Sequence, residues 1–149
     1  MPLYHIRRAA EQDIAGVMAL YAVLRPHDPV LPHEQLRALW HDAGGGPHSM
    51  IVVAECNCVI ASTCMLATVA NLASGGRRIG LIEHVVTAPA FRGQGLGRDV
   101  LEFALAQAWA MGCCKVVLLS GSQRTDAHRL YRSVGFDGDA EMGFVAKPP

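Results

Sequence analysis

The sequence predicts a single α/β domain over residues 1–149 with a mixed sheet. Three observations predict this class. Apolar residues make up 51% of the chain and charged residues 17%, which is typical of a folded globular domain. Strand-like and helix-like patterns alternate in the order β-α-α-β-β-β-α-β-α-β. At the centre, a strand, a glycine-rich loop, a helix and a further strand follow one another, as in α/β proteins.

The first part of the chain is predicted to form one strand and two helices. Residues 3–9 alternate enough for a short strand, and apolar residues recur at helical spacing through residues 11–24. Prolines interrupt residues 25–32, which we interpret as a loop. A second helix is predicted at residues 33–43, where a run of glycines and a proline ends it.

The second part alternates between β-rich and helical runs. The predicted strands span residues 50–55, 59–69, 79–88, 114–120 and 143–147. The predicted helices span residues 97–111 and 125–135. The first two of these strands flank a short turn and form a hairpin. Gly112 and Gly135 follow the two helices as stop signals, and Thr125 is the expected cap of the last helix.

Charge and hydropathy exclude several partners. The 13 basic and 13 acidic residues give a net charge of zero, so we expect no nucleic-acid partner. The first residues, MPLYHIRRAAEQD, lack the apolar run of a signal peptide. The longest weakly polar stretch, residues 60–73, is too short and too polar to span a bilayer. We therefore expect a cytoplasmic protein without a membrane partner.

The cysteine pattern predicts no metal site. The chain has five cysteines, an odd number, and no C-x-x-C pair. We expect reduced thiols in a cytosolic protein. The five residues are Cys56, Cys58, Cys64, Cys113 and Cys114.

The stretch AFRGQGLGRDV, residues 90–100, carries the clearest chemical signal. Glycines between a strand and a helix expose backbone N–H groups at the positive end of the helix dipole, where an anion binds. The dinucleotide pattern G-x-G-x-x-G fails because its third glycine position is Arg98, and no G-x-x-x-x-G-K-[ST] string occurs. Local chemistry leaves two readings open: a phosphate loop, or a turn that only packs the helix on the sheet.

Longer segments favour the phosphate loop. The string RGQGLG at residues 92–97 resembles the Arg/Gln-x-x-Gly-x-Gly acyl-CoA loop of the GCN5-related N-acetyltransferase (GNAT) family. LIEHVVTAPAFRGQGLG resembles the strand that enters this loop, AHRLYRSVGF the last helix and YHIRRAAEQDI the first strand and helix start. The resemblance implies the GNAT fold, with a mixed central sheet of six to seven strands flanked by about four helices. It also implies transfer of an acetyl group from acetyl-CoA to a primary amine by direct attack in a ternary complex.

The resemblance also implies where acetyl-CoA binds. Backbone N–H groups of the loop would hold the pyrophosphate. These residues are Arg92, Gly93, Gln94, Gly95, Leu96, Gly97 and Arg98. The pantetheine arm would lie along Val85, Val86 and Thr87 like an added strand. An N–H group near Val85 would polarise the thioester carbonyl. Many members of the family carry an Asn near the start of the last helix that binds the CoA arm. This sequence has no Asn there, so Ser120, Ser122 or Gln123 would have to replace it.

Two residues match the family's acid and base positions. Glu83 would deprotonate the amine directly or through water, or else orient the substrate. His84 is an alternative base or a core histidine. Tyr131 would protonate the departing thiolate, or else pack in the core. Strand alternation predicts two opposite faces, one with Leu81, Glu83 and Val85 and the other with Ile82, His84 and Val86.

The loop after the first helix is the expected acceptor region. Its candidate specificity residues are Arg25, His27, Asp28 and His33. The implied acceptor is a small molecule of the amino-sugar, amino-acid or polyamine type. A non-catalytic acetyl-CoA-binding module and a protein N-acetyltransferase are the alternative functions, and a homodimer is an open assembly state. The sequence suggests neither a metal nor any cofactor beyond acetyl-CoA as co-substrate.

Overall fold

The computed structural model describes residues 3–149. Backbone contacts group them into two units that divide between Leu118 and Leu119, and each unit is described by itself. The first unit holds the sheet and three helices. Its strands are β1 Tyr4–Arg8, β2 Ser49–Cys56, β3 Val59–Val69, β4 Arg78–Thr87 and β5 Cys113–Val117. Its helices are α1 Ile14–Leu24, α2 His33–Trp40 and α3 Leu96–Ala110. The second unit holds α4, Thr125–Ser133.

The five strands form one mixed sheet in the order β1-β2-β3-β4-β5. Neighbouring strands are antiparallel except β4 and β5, which are parallel. Helix α3 makes the crossover between the two parallel strands, as a parallel connection requires. The mixed sheet and the four helices confirm the predicted α/β class.

The predicted number of six to seven strands is wrong for the described residues, which form five. The expected last strand, residues 143–147, has no regular structure. Phe144 and Val145 are exposed there, so the run does not bury the apolar face that would favour strand pairing.

The core between α1 and the sheet explains the position of α1. Ala9, Val17, Ile51 and Val53 are buried together. Tyr21, Trp40, Ile60 and Met65 pack around this cluster. Helix α3 packs on β2 and β3, and the buried Cys64 thiol donates to the carbonyl of Val100 at 3.5 Å. Burial raises the pKa of the Cys64 thiol to about 12.

The helices begin and end close to the positions that the sequence predicts, but the predicted cap of the last helix is wrong. A 3₁₀ turn at Glu11–Asp13 precedes α1, and a π-helical turn at His41–Gly45 follows α2. Thr125 is the first residue of α4 rather than its cap, and no side chain caps this helix start. No helix among the described residues is both long and apolar enough to cross a membrane.

Candidate active site

Strand β4 contains a β-bulge at the position expected for the reacting groups. On β3, Met65 pairs with Glu83 and Thr63 pairs with Val86, so two residues on β4 face one on β3. His84 lies in the bulge with a φ of +54°, a conformation rare for a side-chain-bearing residue. A bulge of this kind bends a strand and redirects its side chains.

The bulge overturns the predicted alternation of faces. Thr63 and Met65 are two residues apart and therefore share a face of the sheet. Their partners Val86 and Glu83 share that face too, although simple alternation places them on opposite sides. The ring of His84 also reaches α1, on the side where Met65 joins the α1 core.

The pairing of β4 with β5 ends just before the bulge. Their parallel register runs from Arg78 and Cys113 to Leu81 and Val117 and then ends. Val85, Val86 and Thr87 lie in the part of β4 beyond this register. These residues have no pairing with β5, which the predicted added strand along β4 requires.

Thr87 is tied to its neighbours on both sides of the strand end. Its hydroxyl is 2.7 Å from the hydroxyl of Ser62, and its carbonyl accepts from Arg92 Nε at 3.2 Å. The Ser62 hydroxyl also lies 3.2 Å from the carbonyl oxygen of Val86. These contacts fix the path by which β4 enters the glycine loop.

Backbone conformation, not crowding, requires glycine at two positions of the loop. Gly93 and Gly95 have φ values of +75° and +85°, and a Cβ on either would meet no atom within 4 Å. Gly95 precedes α3, and no side chain caps the helix there. Arg92, Gly93, Gln94 and Gly95 are exposed, whereas Leu96 and Gly97 are buried. The loop therefore presents backbone N–H groups at an uncapped helix start.

The two flanking arginines each have a partner within the protein. Arg98 Nε donates to Glu102 at 2.9 Å, one helical turn further on. Arg92 Nε donates to the carbonyl of Thr87. Both side chains are exposed.

A tyrosine from β1 reaches the first turn of α3. The Tyr4 hydroxyl donates to Asp99 Oδ2 at 2.6 Å, and this hydrogen bond raises the pKa of Tyr4. The contact joins residues 95 positions apart, so no local pattern predicts it. It anchors the helix start that carries the glycine loop.

The end of α1 brings three side chains over the bulge. The Tyr21 and His84 ring centroids are 5.0 Å apart. Arg25 Nε donates to Asp28 Oδ2 at 2.6 Å. This hydrogen bond raises the pKa of Arg25, and the charge of Glu83 raises it further. The same bond lowers the pKa of Asp28, with a further contribution from His84. Arg25 and Asp28 therefore lie within electrostatic range of Glu83 and His84.

Two of the four predicted acceptor residues lie near the predicted base, and the other two have no described contact with it. Arg25 and Asp28 interact with Glu83 and His84. His27 is exposed in the same loop, and no described contact ties its ring to β4. His33 lies at the exposed start of α2.

Tyr21 is a site residue that the sequence analysis missed. Its hydroxyl is buried and has no hydrogen-bond partner within residues 3–149. Burial raises its pKa above the ordinary value. Tyr21 lies on α1, whereas Arg25 and Asp28 follow the end of this helix at Leu24, so helical spacing gives no signal that joins the three residues.

Tyr131 belongs to the second unit. Its side chain is buried, and its ring meets that of Phe136 edge-on at 6.2 Å. Gly135, with a φ of +105°, ends the helix and lets the Phe136 N–H return to the Tyr131 carbonyl at 3.1 Å. This explains the Tyr-x-x-x-Gly-Phe spacing. In the same unit Ser120 is part-buried, whereas Ser122 and Gln123 are exposed.

The described residues contain no group of three or more His, Cys, Asp or Glu side chains that could hold a metal ion. The five cysteines are free thiols. Cys58 is exposed and Cys114 half-buried, while the other three are buried. Of these five thiols, Cys64 lies on β3 opposite the β4 bulge.

Comparison with known proteins identifies relatives over most of the chain. Residues 11–136 match the model of the Acetyltransferase (GNAT) family. A putative acetyltransferase from Agrobacterium tumefaciens is 35% identical, with a TM-score of 0.89 over 97% of this chain and 99% of that one. Glucosamine 6-phosphate N-acetyltransferase 1 from Oryza sativa subsp. japonica is 31% identical over 94% of this chain and 86% of its own length. Glucosamine 6-phosphate N-acetyltransferase from Trypanosoma brucei brucei is 37% identical over 62 residues, 42% of this chain and 40% of its own.

Proposed function

Since the chain belongs to the acetyltransferase (GNAT) family, we propose that it transfers the acetyl group of acetyl-CoA to a primary amine of a small molecule. The observation that carries the proposal is the β4 bulge, where Glu83 and His84 lie beside the end of α1 and beyond the β5 register. The names of the two curated relatives favour an amino sugar within the amino-sugar, amino-acid and polyamine classes.

The glycine loop supports binding of the CoA pyrophosphate. Left-handed glycines at positions 93 and 95 expose the backbone, and α3 begins uncapped at Leu96. Backbone N–H groups and the helix dipole would hold the phosphates, and the exposed Arg92 and Arg98 would add charge. The pantetheine arm would pair with Val85, Val86 and Thr87 along the part of β4 that lies beyond β5.

The bulge supports activation of the thioester. An N–H group near Val85 would donate to the carbonyl oxygen, on which negative charge develops during attack. The strain at His84 fits this role because unusual backbone conformations are concentrated at functional sites. The protein would hold this donor in place before the substrate arrives.

Glu83 is proposed as the base. An amine attacks only with a free electron pair, so the ammonium proton must first pass to a carboxylate or to a water held by it. The nitrogen–carbon bond then forms, the carbon–sulfur bond breaks and the thiolate takes a proton, for which Tyr131 is the proposed donor. Arg25 and Asp28 would orient the acceptor because they lie within electrostatic range of Glu83 and His84.

A thiol-release assay tests the proposal. The purified protein is incubated with acetyl-CoA and a panel of amino sugars, amino acids and polyamines, and CoA release is followed by mass spectrometry. This detection avoids a background from the exposed Cys58 thiol. We expect release that depends on the amine and matches the N-acetyl product one to one. Binding of acetyl-CoA without release by any amine would support a non-catalytic binding module instead.

A further inference from the structure

A cleft beside the turn that follows α2 has no role in the reaction described above. Its lining residues are His41, Asp42, Gly46, Pro47, His48, Ser49, Met65 and Ala67. Its volume is about 370 Å³, at the low end for a small-molecule site. A monosaccharide-sized molecule fits such a volume.

The strand register connects this cleft to Glu83. Met65 pairs directly with Glu83 on β4, and Ala67 pairs with Leu81. Directly opposed residues of an antiparallel pair have Cβ atoms about 5 Å apart and share a face. The Met65 end of the cleft floor is therefore beside Glu83, and the floor leads away from it toward Ala67.

The wall of the cleft is a braced π-helical turn. Arg8 Nη2 donates to the carbonyls of Gly44, Gly46 and Ser49, and the Ser49 hydroxyl donates to the carbonyl of Ala43 at 2.9 Å. π-Helical turns occur often at functional sites. The backbone of this wall is therefore held by Arg8, which does not line the cleft, and by Ser49, which does.

Close approach explains the glycines of this turn. A Cβ at Gly45 would lie 2.5 Å from Trp40 Nε1, and a Cβ at Gly46 would lie 2.5 Å from the carbonyl oxygen of His41. The His41 ring also lies against Gly46, because its Nε2 would be 3.3 Å from a Cβ at Gly46. Packing of Trp40 and His41 therefore requires residues without side chains and holds the turn in one shape.

Three polar side chains that line the cleft are exposed to solvent. Within residues 3–149, His41, Asp42 and His48 make no side-chain hydrogen bond or ion pair. A carboxylate and two imidazoles accept and donate hydrogen bonds to hydroxyl groups. Met65, Ala67 and Pro47 add an apolar surface for the C–H face of a ring. The nearby cation, Arg8, is already engaged by carbonyls.

We propose that this cleft binds the hydroxylated ring of the acceptor, with the ring on Met65 and Ala67, its hydroxyls on His41, Asp42 and His48, and its amine directed to Glu83. The inference rests on the proposed acetyltransferase function and narrows the acceptor to a hydroxylated cyclic amine of the hexosamine type. The proposal assigns specificity for the acceptor to His41, Asp42 and His48, which take no part in forming the bond between the amine and the acetyl group.

Two matched amines test this assignment. D-Glucosamine and cyclohexylamine both carry a primary amine on a six-membered ring, and only the first has hydroxyls. We expect the Asp42→Asn/His48→Ala double variant to lower the ratio of kcat/KM for D-glucosamine to that for cyclohexylamine by about tenfold or more, since each lost hydrogen bond costs two- to tenfold. His5→Ala, at an exposed position on β1, is the control and should leave the ratio unchanged.

The outcomes separate this inference from the proposed function. A double variant whose ratio equals that of the wild type overturns the cleft assignment, as does a wild type that acetylates cyclohexylamine as readily as D-glucosamine. Absence of acetyl transfer to every amine contradicts the proposed function itself. A binding readout needs no turnover: D-glucosamine added to the CoA-bound protein should shift the ring signals of His41 and His48 in ¹H–¹³C spectra, and unchanged signals would count against the cleft.

Discussion

The ring of Tyr21 lies against the ring of His84, with the centroids 5.0 Å apart and the planes tilted by 52°. This contact joins the end of α1 to the bulge of β4. A φ of +54° costs a residue such as histidine about 1–3 kcal/mol and persists only where the surroundings hold it. The Tyr21 ring is one of the groups that hold it.

Two substitutions of Tyr21 separate its ring from its hydroxyl. Tyr21→Phe keeps the ring and removes a buried hydroxyl that has no partner among the described residues. We expect it to be at least as stable as the wild type, because an unpaired buried polar group costs about 1–3 kcal/mol. Tyr21→Ala removes the ring and should lose about 3–5 kcal/mol of stability together with most activity. Urea unfolding and kcat/KM measure both; a Phe variant markedly less stable than the wild type would reveal a hidden partner of the hydroxyl.

Tyr131→Phe tests the proposed acid. The substitution keeps the edge-on contact with Phe136 and removes only the hydroxyl. Loss of a general acid lowers kcat by about 10²–10⁴-fold. We expect kcat to fall by at least the lower figure while the Kd for acetyl-CoA changes little. An unchanged kcat would assign Tyr131 to the core alone.

Gly95→Ala tests the glycine loop. The new Cβ meets no neighbour, so its effect comes from a φ of +85°. We expect a loss of about 1–2 kcal/mol of stability and a rise of about tenfold in the Kd for CoA. Gly138→Ala is the control, because only the flexible Arg132 guanidinium lies near its Cβ, at 3.4 Å. Equal CoA affinities of the two variants in calorimetry would remove the loop from the binding site.

The buried carboxylate of Asp13 predicts how stability depends on pH. Asp13 accepts from Arg7 Nη1 at 2.6 Å and Nη2 at 2.9 Å, and from the Ala10 N–H at 2.7 Å. The Arg7 hydrogen bonds lower the pKa of Asp13, although its burial opposes them. The contribution to stability is therefore complete above the unfolded pKa, about 3.9, and is lost as the pH falls through the lower folded value.

Asp13→Asn should accordingly destabilise the protein at neutral pH and much less in acid. We expect a loss of about 2–4 kcal/mol at pH 7, since breaking a largely buried ion pair leaves Arg7 without its main partner. Glu11→Gln is the control: its 3.5 Å pair with Arg37 is exposed and is worth less than about 1 kcal/mol. Urea unfolding at several pH values measures both variants, and equal effects at pH 7 would contradict the assigned role of Asp13.

Local sequence signals were sufficient for the glycine loop and for most elements. The glycines at 93 and 95 predicted a loop between a strand and a helix, and the structure places them there; their positive φ values are visible only in the structure. The four helices and five of the predicted strands lie close to their expected positions. The strand at residues 143–147 failed because short apolar runs pair only where a neighbouring strand is present, which local sequence does not reveal.

The geometry of the site could not be predicted from local patterns. A run of β-favouring residues from Ile82 to Thr87 gives no sign that His84 interrupts the alternation, since the bulge depends on pairing with β3. The Tyr4–Asp99 contact joins distant parts of the chain. Tyr21 satisfies the apolar spacing of α1, so its second role at the bulge appears only in three dimensions.

The central claim is that Glu83 deprotonates an amine beside the bulge. The most direct test compares kcat/KM of Glu83→Gln and the wild type for the best acceptor across pH. We predict a loss of about 10²-fold or more at neutral pH. The loss should shrink as the pH rises toward the pKa of the free amine, because the deprotonated amine then needs no base. A variant with wild-type kcat/KM at neutral pH would contradict the claim, and so would a loss that stays constant over the whole pH range.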